Sequence, residues 1–211
     1  MMITRNILFK NFKKKYSPPV NSKLDFVLRK NNEILNSLKL NYRYSYSKKF
    51  VNKYKKNFSI LRIIGMGGSI LGTKAIFSFL EKKIKKKIIF FDNLLPKFKL
   101  NNEKKILNLI VSKSGNTLET ISNVNNLIKK NQKNIFITEN NTSYLRMLAN
   151  KMKAEVVDHN NYIGGRYSVL SEVGMLPASL VGLDEKKFKQ FNNLIKKKSF
   201  INSLVQNVNN I

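Results

Sequence analysis

The sequence predicts an α/β protein in which a parallel β-sheet is flanked by helices. Short apolar segments with β-branched residues recur at 60–65, 87–92, 106–112, 134–138 and 155–158. Helical patterns separate these segments along the chain. Strands that alternate with helices are joined by crossover connections, so they form a parallel sheet with helices on both faces. Ligands of such sheets bind at the carboxyl ends of the strands, where the strand order reverses.

The segments on either side of the predicted sheet are polar and helical in pattern. Residues 1–58 are rich in lysine and tyrosine and predict an N-terminal helical arm, whereas 59–183 carry the sheet. Helical patterns return over 185–198 and 200–211. The last of these carries an apolar stripe that needs a packing partner. We therefore expect the helical segment from 184 onward to begin a second half that lies beyond the chain.

The chain is strongly basic, with 40 lysine and arginine residues against 12 acidic ones and a net charge of +28. A basic face can bind nucleic acid by releasing counterions from its phosphates. However, only 6 of the basic residues are arginine, and the lysines are spread over predicted helix ends and loops, together with other residues of A/T-rich codons. This pattern is typical of solvated surface. We do not expect nucleic acid as a partner.

The amino-acid content also limits the chemistry. The absence of cysteine and the presence of one histidine exclude disulfides and argue against a zinc site. The 42% hydrophobic content supports a packed core, while no apolar run is long enough to span a membrane and no signal peptide is evident. We expect a soluble cytoplasmic protein that does not associate with membranes.

Hydroxyl groups cluster after the third predicted strand, in the segment SKSGNTLET at 112–120. A junction between a strand and a helix presents free backbone N–H groups and the positive end of a helix dipole, which suit a phosphate dianion. Ser112, Ser114 and Thr117 supply three hydroxyls, and Lys113 adds a cation. The segment is therefore a candidate phosphate-binding loop.

An ordinary helix start is the alternative interpretation of this loop. Asn116 can act as the N-cap of the following helix, with Glu119 three residues later completing a capping box. We assign those two roles to Asn116 and Glu119, which leaves the three hydroxyls unexplained. Taken alone, the loop is compatible with both a phosphate cradle and a simple turn.

The first predicted strand ends in GMGGSILG at 65–72, where glycines allow close approach of a ligand and Ser69 offers a hydroxyl at a helix start. A dinucleotide fingerprint is the rival, with Asp92 at the position of its ribose-binding acid. Its spacing requires a glycine at position 70, where the chain has Ile70. The sequence therefore argues against nicotinamide or flavin binding.

A third loop, GGRYSVLS at 164–171, follows the last predicted strand. Arg166 stands behind two glycines and supplies a cation aimed at the crevice, suited to an anionic ligand or to developing negative charge. A surface arginine in a turn is the alternative. The other two loops belong at the same sheet edge, which favours the functional interpretation.

These three loops, in this order, resemble the phosphoglucose isomerase family, specifically its first sugar-isomerase (SIS) domain. The resemblance covers about residues 60–183. GGRYSVLS is its most specific part, because loops like SGNT also occur in other SIS proteins, including bifunctional phosphoglucose/phosphomannose isomerases. The resemblance implies an SIS-type, flavodoxin-like three-layer α/β fold, with the family's second SIS domain absent from this chain.

The resemblance also implies an activity and a set of binding residues. The family interconverts glucose 6-phosphate and fructose 6-phosphate in glycolysis and gluconeogenesis, as a homodimer without metal or organic cofactor. By this resemblance the phosphate is bound by Ser112, Lys113, Ser114 and Thr117, the sugar is lined by Gly68 and Ser69, and a water or substrate oxygen is held by Gly165 and Arg166. Arg166 would stabilise the enediolate that forms during proton transfer.

The family's proton-transfer groups are expected outside this chain. Its general base is a glutamate in the motif QxGVExxK, which nothing here matches, and its ring-opening histidine and late lysine are expected after residue 211. His159 precedes the Gly-Gly-Arg loop and is interpreted as a strand-end residue. Neither Glu139 nor Glu172 is a convincing candidate for the general base. We expect a full-length isomerase of which this chain is a fragment; a stand-alone, non-catalytic sugar-phosphate-binding module is the alternative.

Overall fold

The computed structural model describes residues 18–29, 33–94, 105–189 and 197–209. These residues form two compact units. One contains the described residues up to Tyr42 together with those from Lys186 onward, and the other runs from Arg43 to Glu185.

The unit from Arg43 to Glu185 is built on a parallel sheet, which within the described residues has five strands. They are β1 (Ile60–Gly65), β2 (Lys87–Phe91), β3 (Ile106–Val111), β4 (Lys133–Glu139) and β5 (Glu155–His159). Their order in the sheet is β2-β1-β3-β4-β5, and every neighbouring pair is parallel. The predicted parallel sheet is confirmed.

Within the described residues, three helices precede β1 and the others come after β1, β3, β4 and β5; all are labelled in chain order. They are α1 (Pro18–Arg29), α2 (Glu33–Ser37), α3 (Lys48–Lys55), α4 (Gly68–Phe79), α5 (Leu118–Leu127), α6 (Tyr144–Met152), α7 (Glu172–Leu180) and α8 (Lys198–Asn209). Short 3-10 helices occupy Glu81–Lys83, Gly165–Leu170 and Glu185–Lys189. None of the helices within the described ranges has the length and apolar content needed to cross a bilayer.

The strand order places helices on both faces of the sheet. The chain leaves β1 in one direction to form β2, and it leaves β3 in the opposite direction to form β4 and β5. Because crossover connections are right-handed, α4 lies on one face and α5 and α6 lie on the other. α7 then packs against α4 and α3. The result is a three-layer arrangement in which both sheet faces are covered.

The core follows from the burial of the central strands on both faces. All six residues of β1 and all six of β3 are buried, as expected for inner strands of a parallel sheet. One face joins the register neighbours Ile64, Ile110 and Phe136 to Val124 and Leu127 of α5. Burial of these apolar side chains holds the strand ends, and thus the loops that follow them, in place.

The smaller unit packs α1 against α8. Val205 of α8 is almost fully buried. The ammonium of Lys189 lies 4.3 Å from the centre of the Tyr42 ring, within the range of a cation–π contact.

The predicted element bounds agree closely with the structure where the two can be compared. All five predicted strands are found, with ends that differ by at most one residue from the prediction. The predicted helical pattern of 200–211 corresponds to α8. The predicted arm before residue 18 and the stretch 190–196 of the predicted helix lie outside the described residues. The division at 58/59 falls inside the larger unit, so the three-part domain scheme stays a prediction.

Leu109→Ala tests the importance of the buried central strand. Leu109 is completely buried in β3, so this change is expected to lower the free energy of unfolding by about 2–5 kcal/mol, from lost burial and an unfilled cavity. The measurement is urea denaturation. Leu118→Ala is the matched control, because Leu118 is 77% exposed and its loss is expected to change stability by less than about 0.5 kcal/mol. Equal losses would contradict the assignment of β3 to the core.

Candidate functional site

Three loops meet the carboxyl ends of the sheet strands. The first follows β1 and begins α4, the second follows β3 and begins α5, and the third follows β5 and forms the 3-10 helix Gly165–Leu170. β1 and β3 are neighbours whose connections run in opposite directions. The loops after them therefore diverge and leave a crevice, which is the usual ligand-binding place in open parallel sheets.

The first and third loops touch through their backbones at Gly68. A methyl group on Gly68 would lie 2.4 Å from the carbonyl carbon of Gly165 and 2.8 Å from the amide nitrogen of Arg166. Only a residue without Cβ permits this approach. The hydroxyl of Ser168 adds hydrogen bonds to the carbonyl oxygens of Gly165 at 2.7 Å and Gly68 at 3.4 Å. Arg166 is thereby held beside the start of α4.

The second loop is shaped by its own hydroxyl groups. The Ser112 hydroxyl is buried, lies 3.0 Å from that of Thr117 and accepts a hydrogen bond from the Gly115 N–H. The Ser114 hydroxyl is exposed and accepts from the N–H of Asn116. Ser112 therefore holds the loop in shape, while Ser114 and Thr117 keep accessible surface at the start of α5. The three hydroxyl groups of the predicted phosphate-binding loop thus lie within a single turn.

The predicted capping roles of Asn116 and Glu119 are wrong. The N-cap of α5 is Thr117, which makes no side-chain capping hydrogen bond. The Asn116 side-chain oxygen instead accepts from the backbone N–H of Tyr144, in the first turn of α6. The amide reaches a donor that is distant in sequence, which local pattern cannot reveal. The first turn of α5 is therefore left without a side-chain cap, as a ligand-binding helix start would be.

Lys113 does not direct its ammonium group to open solvent. Its Nζ lies 3.2 Å from Oε1 of Glu139 and donates a 2.7 Å hydrogen bond to the carbonyl oxygen of Asn161. Glu139 ends β4, and it lies at the same sheet edge as the loops. Its carboxylate is thus engaged by Lys113 and by the side-chain amide of Asn141.

Arg166 and Ser69 are polar side chains of the third and first loops that keep accessible surface. Arg166 is exposed, and it forms no ion pair or hydrogen bond with any residue in the described part of the chain. Ser69 is half-buried in the first turn of α4, where its N–H donates to the Met66 carbonyl oxygen. The chain therefore offers an uncommitted guanidinium at this sheet edge.

His159 and Glu172 have structural surroundings. His159 is the last residue of β5, is buried, and has its Nδ1 2.8 Å from the carbonyl oxygen of Asn160, which agrees with its interpretation as a strand-end residue. Burial lowers the pKa of His159 below its ordinary value, so its imidazole is neutral at pH 7. Glu172 begins α7 and its buried carboxylate accepts from the N–H of Ser45.

Ser143 and Thr138 support the second loop, and the sequence pattern does not single them out. Gly115 has a positive φ of 66°, and a methyl group there would lie 2.2 Å from the Ser143 hydroxyl and 2.8 Å from that of Thr138. Thr138 belongs to β4, and Ser143 immediately precedes α6. Their only sequence signal is the hydroxyl type at a strand end, which is common in turns.

A metal centre does not emerge from the described residues, where no three histidine or acidic side chains converge. Asp92, which would bind a ribose in a dinucleotide site, is paired with Lys74 at 2.5 Å. The groups that do converge are hydroxyls, helix-start N–H groups and one guanidinium. Together they can bind an anion with oxygen atoms, such as a phosphate ester.

Gly68→Ala tests the contact between the first and third loops. The added methyl group has no room against the Gly165 backbone, so the free energy of unfolding is expected to fall by about 1–3 kcal/mol, as in overpacked cores. Gly164→Ala is the matched control, because its methyl group would meet only the Tyr167 ring at 3.6 Å. Chemical denaturation of both variants measures the effect. A neutral Gly68→Ala variant would show that the loops do not touch.

Because the pKa of His159 is depressed in the folded state, we expect the protein to lose stability on mild acidification. Its folded-state pKa is depressed, so below the unfolded-state value of about 6.5 the unfolded chain takes up a proton that the folded chain does not. The free energy of unfolding should therefore fall between about pH 7.5 and 5.5. Urea denaturation at both pH values measures this change. His159→Gln should remove the fall; the same fall in the variant would assign it to other groups.

Comparison with known proteins bears on the family of this chain. The family model described as phosphoglucose isomerase matches residues 4–208. A probable glucose-6-phosphate isomerase from Methanococcus maripaludis is 37% identical over 158 residues, covering 65% of this chain and 35% of that protein. Glucose-6-phosphate isomerase from Methanocaldococcus jannaschii is 38% identical over 152 residues, covering 65% of this chain and 37% of that protein. The chain thus spans little more than a third of the length of these relatives.

Solved structures share the fold at lower identity. A hypothetical protein from Thermus thermophilus superimposes with a TM-score of 0.66 at 20% identity, covering 90% of this chain and 50% of that one. Tagatose-6-phosphate ketose/aldose isomerase from Escherichia coli superimposes with a TM-score of 0.54 at 17% identity, covering 75% of this chain and 48% of that one. The α/β sheet is therefore of the SIS type. Because the phosphoglucose isomerase family model matches residues 4–208, which is most of this chain, the chain belongs to the phosphoglucose isomerase family.

Proposed function

We propose that this chain supplies the phosphate- and sugar-binding loops of an enzyme that interconverts glucose 6-phosphate and fructose 6-phosphate. The observation that carries the proposal is the convergence of three loops at the β1/β3 crevice, with Gly68 packed on the Gly165 backbone. Membership of the phosphoglucose isomerase family supports the proposed substrate class and reaction. The isomerisation is an activity of the whole protein, to which this chain contributes binding groups.

The loop after β3 is the proposed phosphate site. The hydroxyls of Ser114 and Thr117 and the first N–H groups of α5 present donors to the phosphate oxygens, and the helix dipole adds favourable potential. Ser112 contributes by holding the loop through its bonds to Thr117 and Gly115. The backbone N–H of Lys113 is proposed to belong to the same cradle, whereas its ammonium is engaged by Glu139.

The sugar end of the substrate is proposed to lie between the first and third loops. Gly68 and Ser69 line it, and Gly165 and Arg166 hold a water molecule or a substrate oxygen. Proton transfer between two adjacent carbons passes through an enediolate, whose negative charge needs a fixed cation nearby. The uncommitted guanidinium of Arg166 suits that role. The residue that moves the proton is proposed to come from another part of the whole protein, which we expect to form a homodimer and to need no cofactor.

Ser114→Ala and Thr117→Val test the phosphate site. Each change removes one neutral hydrogen-bond donor and is expected to weaken binding of glucose 6-phosphate about 3- to 10-fold. Isothermal titration calorimetry measures the affinity, with glucose as the ligand that lacks a phosphate. We expect glucose to bind far more weakly than glucose 6-phosphate.

Ser78→Ala is the matched control, because Ser78 is an exposed serine near the opposite end of α4. It should leave the affinity unchanged. Equal affinity for glucose and glucose 6-phosphate, or no effect of either loop substitution, would contradict the proposed function.

A further inference from the structure

The ammonium group of Lys113 bridges two elements that do not adjoin in sequence. It lies 3.2 Å from the Glu139 carboxylate at the end of β4 and donates at 2.7 Å to the Asn161 carbonyl oxygen after β5. Its own backbone carbonyl oxygen accepts from the N–H of Glu139 and from the hydroxyl of Thr138. Both ends of this residue are therefore bound to the same sheet edge.

Asn161 leads directly into the Gly-Gly-Arg loop. Ile163, two residues later, is completely buried and donates its N–H to the Asn160 carbonyl oxygen, so the segment is compact up to Gly164. A displacement of the Asn161 carbonyl group is therefore expected to displace Arg166 as well. The bridge from Lys113 thus connects the phosphate loop to the loop that carries the guanidinium.

Glu139 is itself fixed from the other side. Arg146 of α6 donates to the Glu139 carbonyl oxygen at 2.9 Å and to the Asp158 carboxylate at 2.8 Å. These bonds tie the end of β4 to the end of β5. Glu139 therefore presents its carboxylate to Lys113 from a strand end that is held in place.

The Lys113–Glu139 ion pair is less exposed to solvent than an ordinary surface pair. The Lys113 and Glu139 side chains are 30% and 16% exposed, whereas those of the Lys53–Glu155 pair, at the amino end of β5, are 61% and 37% exposed. Screening by water and salt weakens exposed pairs most. The Lys113–Glu139 pair therefore has the surroundings needed to hold a loop.

We propose that Lys113 and Glu139 are positioning residues that set the distance between the phosphate loop and the Gly-Gly-Arg loop, and that the Lys113 ammonium is not a phosphate ligand. This inference rests on the proposed function, because it assigns the two loops to the two ends of one sugar phosphate. It predicts that the pair matters more for a ligand that spans both loops than for inorganic phosphate, which occupies only one.

The test compares Lys113→Met, Glu139→Gln and the double variant. Titration calorimetry measures the affinities for glucose 6-phosphate and for inorganic phosphate, and amide hydrogen exchange follows residues 112–117 and 161–166. Each single change is expected to weaken glucose 6-phosphate binding about 5- to 20-fold and to accelerate exchange in both loops, with the double variant no worse than either single one, as for an interacting pair. Affinity for inorganic phosphate should change by less than about 3-fold.

Two further variants sharpen the result. Lys113→Arg keeps a cation in reach of the carboxylate and should bind glucose 6-phosphate more tightly than Lys113→Met does. Lys53→Met with Glu155→Gln removes the exposed pair at the opposite sheet end and should change neither the affinity ratio nor exchange in the two loops. A general loss of stability would affect both ligands alike, so the ratio of affinities separates positioning from a purely structural role.

The opposite outcome is equally clear. If the ammonium binds the phosphate, Lys113→Met weakens both ligands equally and Glu139→Gln strengthens them, which overturns the proposal. Unchanged exchange in both loops also overturns it, whatever the affinities. Failure of the proposed function gives a different result, in which the unsubstituted protein does not prefer glucose 6-phosphate to glucose.

Discussion

The contact between Gly68 and the backbone of Gly165 and Arg166 is the constraint on which the candidate site depends. It joins the start of α4 to the 3-10 helix Gly165–Leu170, and so brings the segments that follow β1 and β5 into contact, although β3 and β4 lie between these two strands in the sheet. Gly72 and Gly174 both pack closely against Val169. Because each of these contacts is made at a glycine, the elements approach more closely than any larger residue would permit.

The sheet order gives this contact its functional meaning. β1 and β3 are adjacent, and the chain leaves them in opposite directions, so their loops open a crevice and the third loop closes one side of it. Although the chain is strongly basic, the cations at the crevice differ in whether they have an acidic partner. The ammonium of Lys113 is engaged by Glu139, while Arg166 forms no ion pair in the described part of the chain. A chain of net charge +28 thus presents an uncommitted guanidinium where a phosphorylated ligand is proposed to bind.

The failure of the predicted capping box shows where local pattern stops being informative. Asn116 and Glu119 have the residue types and spacing of a helix start, and the spacing alone cannot show that the Asn116 amide has a better donor in Tyr144. If Lys113 is a positioning residue, as proposed, its ammonium is a second case. A lysine within a hydroxyl-rich loop suggests phosphate binding, but its partners in the structure come from β4 and from the loop after β5. In both cases the competing partner is distant in sequence, and only the fold brings it near.

Several features of this protein follow from its sequence alone. The alternation of buried strands and helices determines the parallel sheet, and the three glycine- and hydroxyl-rich segments determine which loops belong at its carboxyl edge, because strand ends and helix starts are local properties. The tertiary structure decided which side chains within those loops remain available. It bound Ser112 to Thr117, Asn116 to α6 and Lys113 to Glu139, and it left Ser114, Thr117 and Arg166 accessible. The reason is physical: a polar side chain takes the nearest suitable partner in space, and spatial neighbours are set by packing of the whole chain.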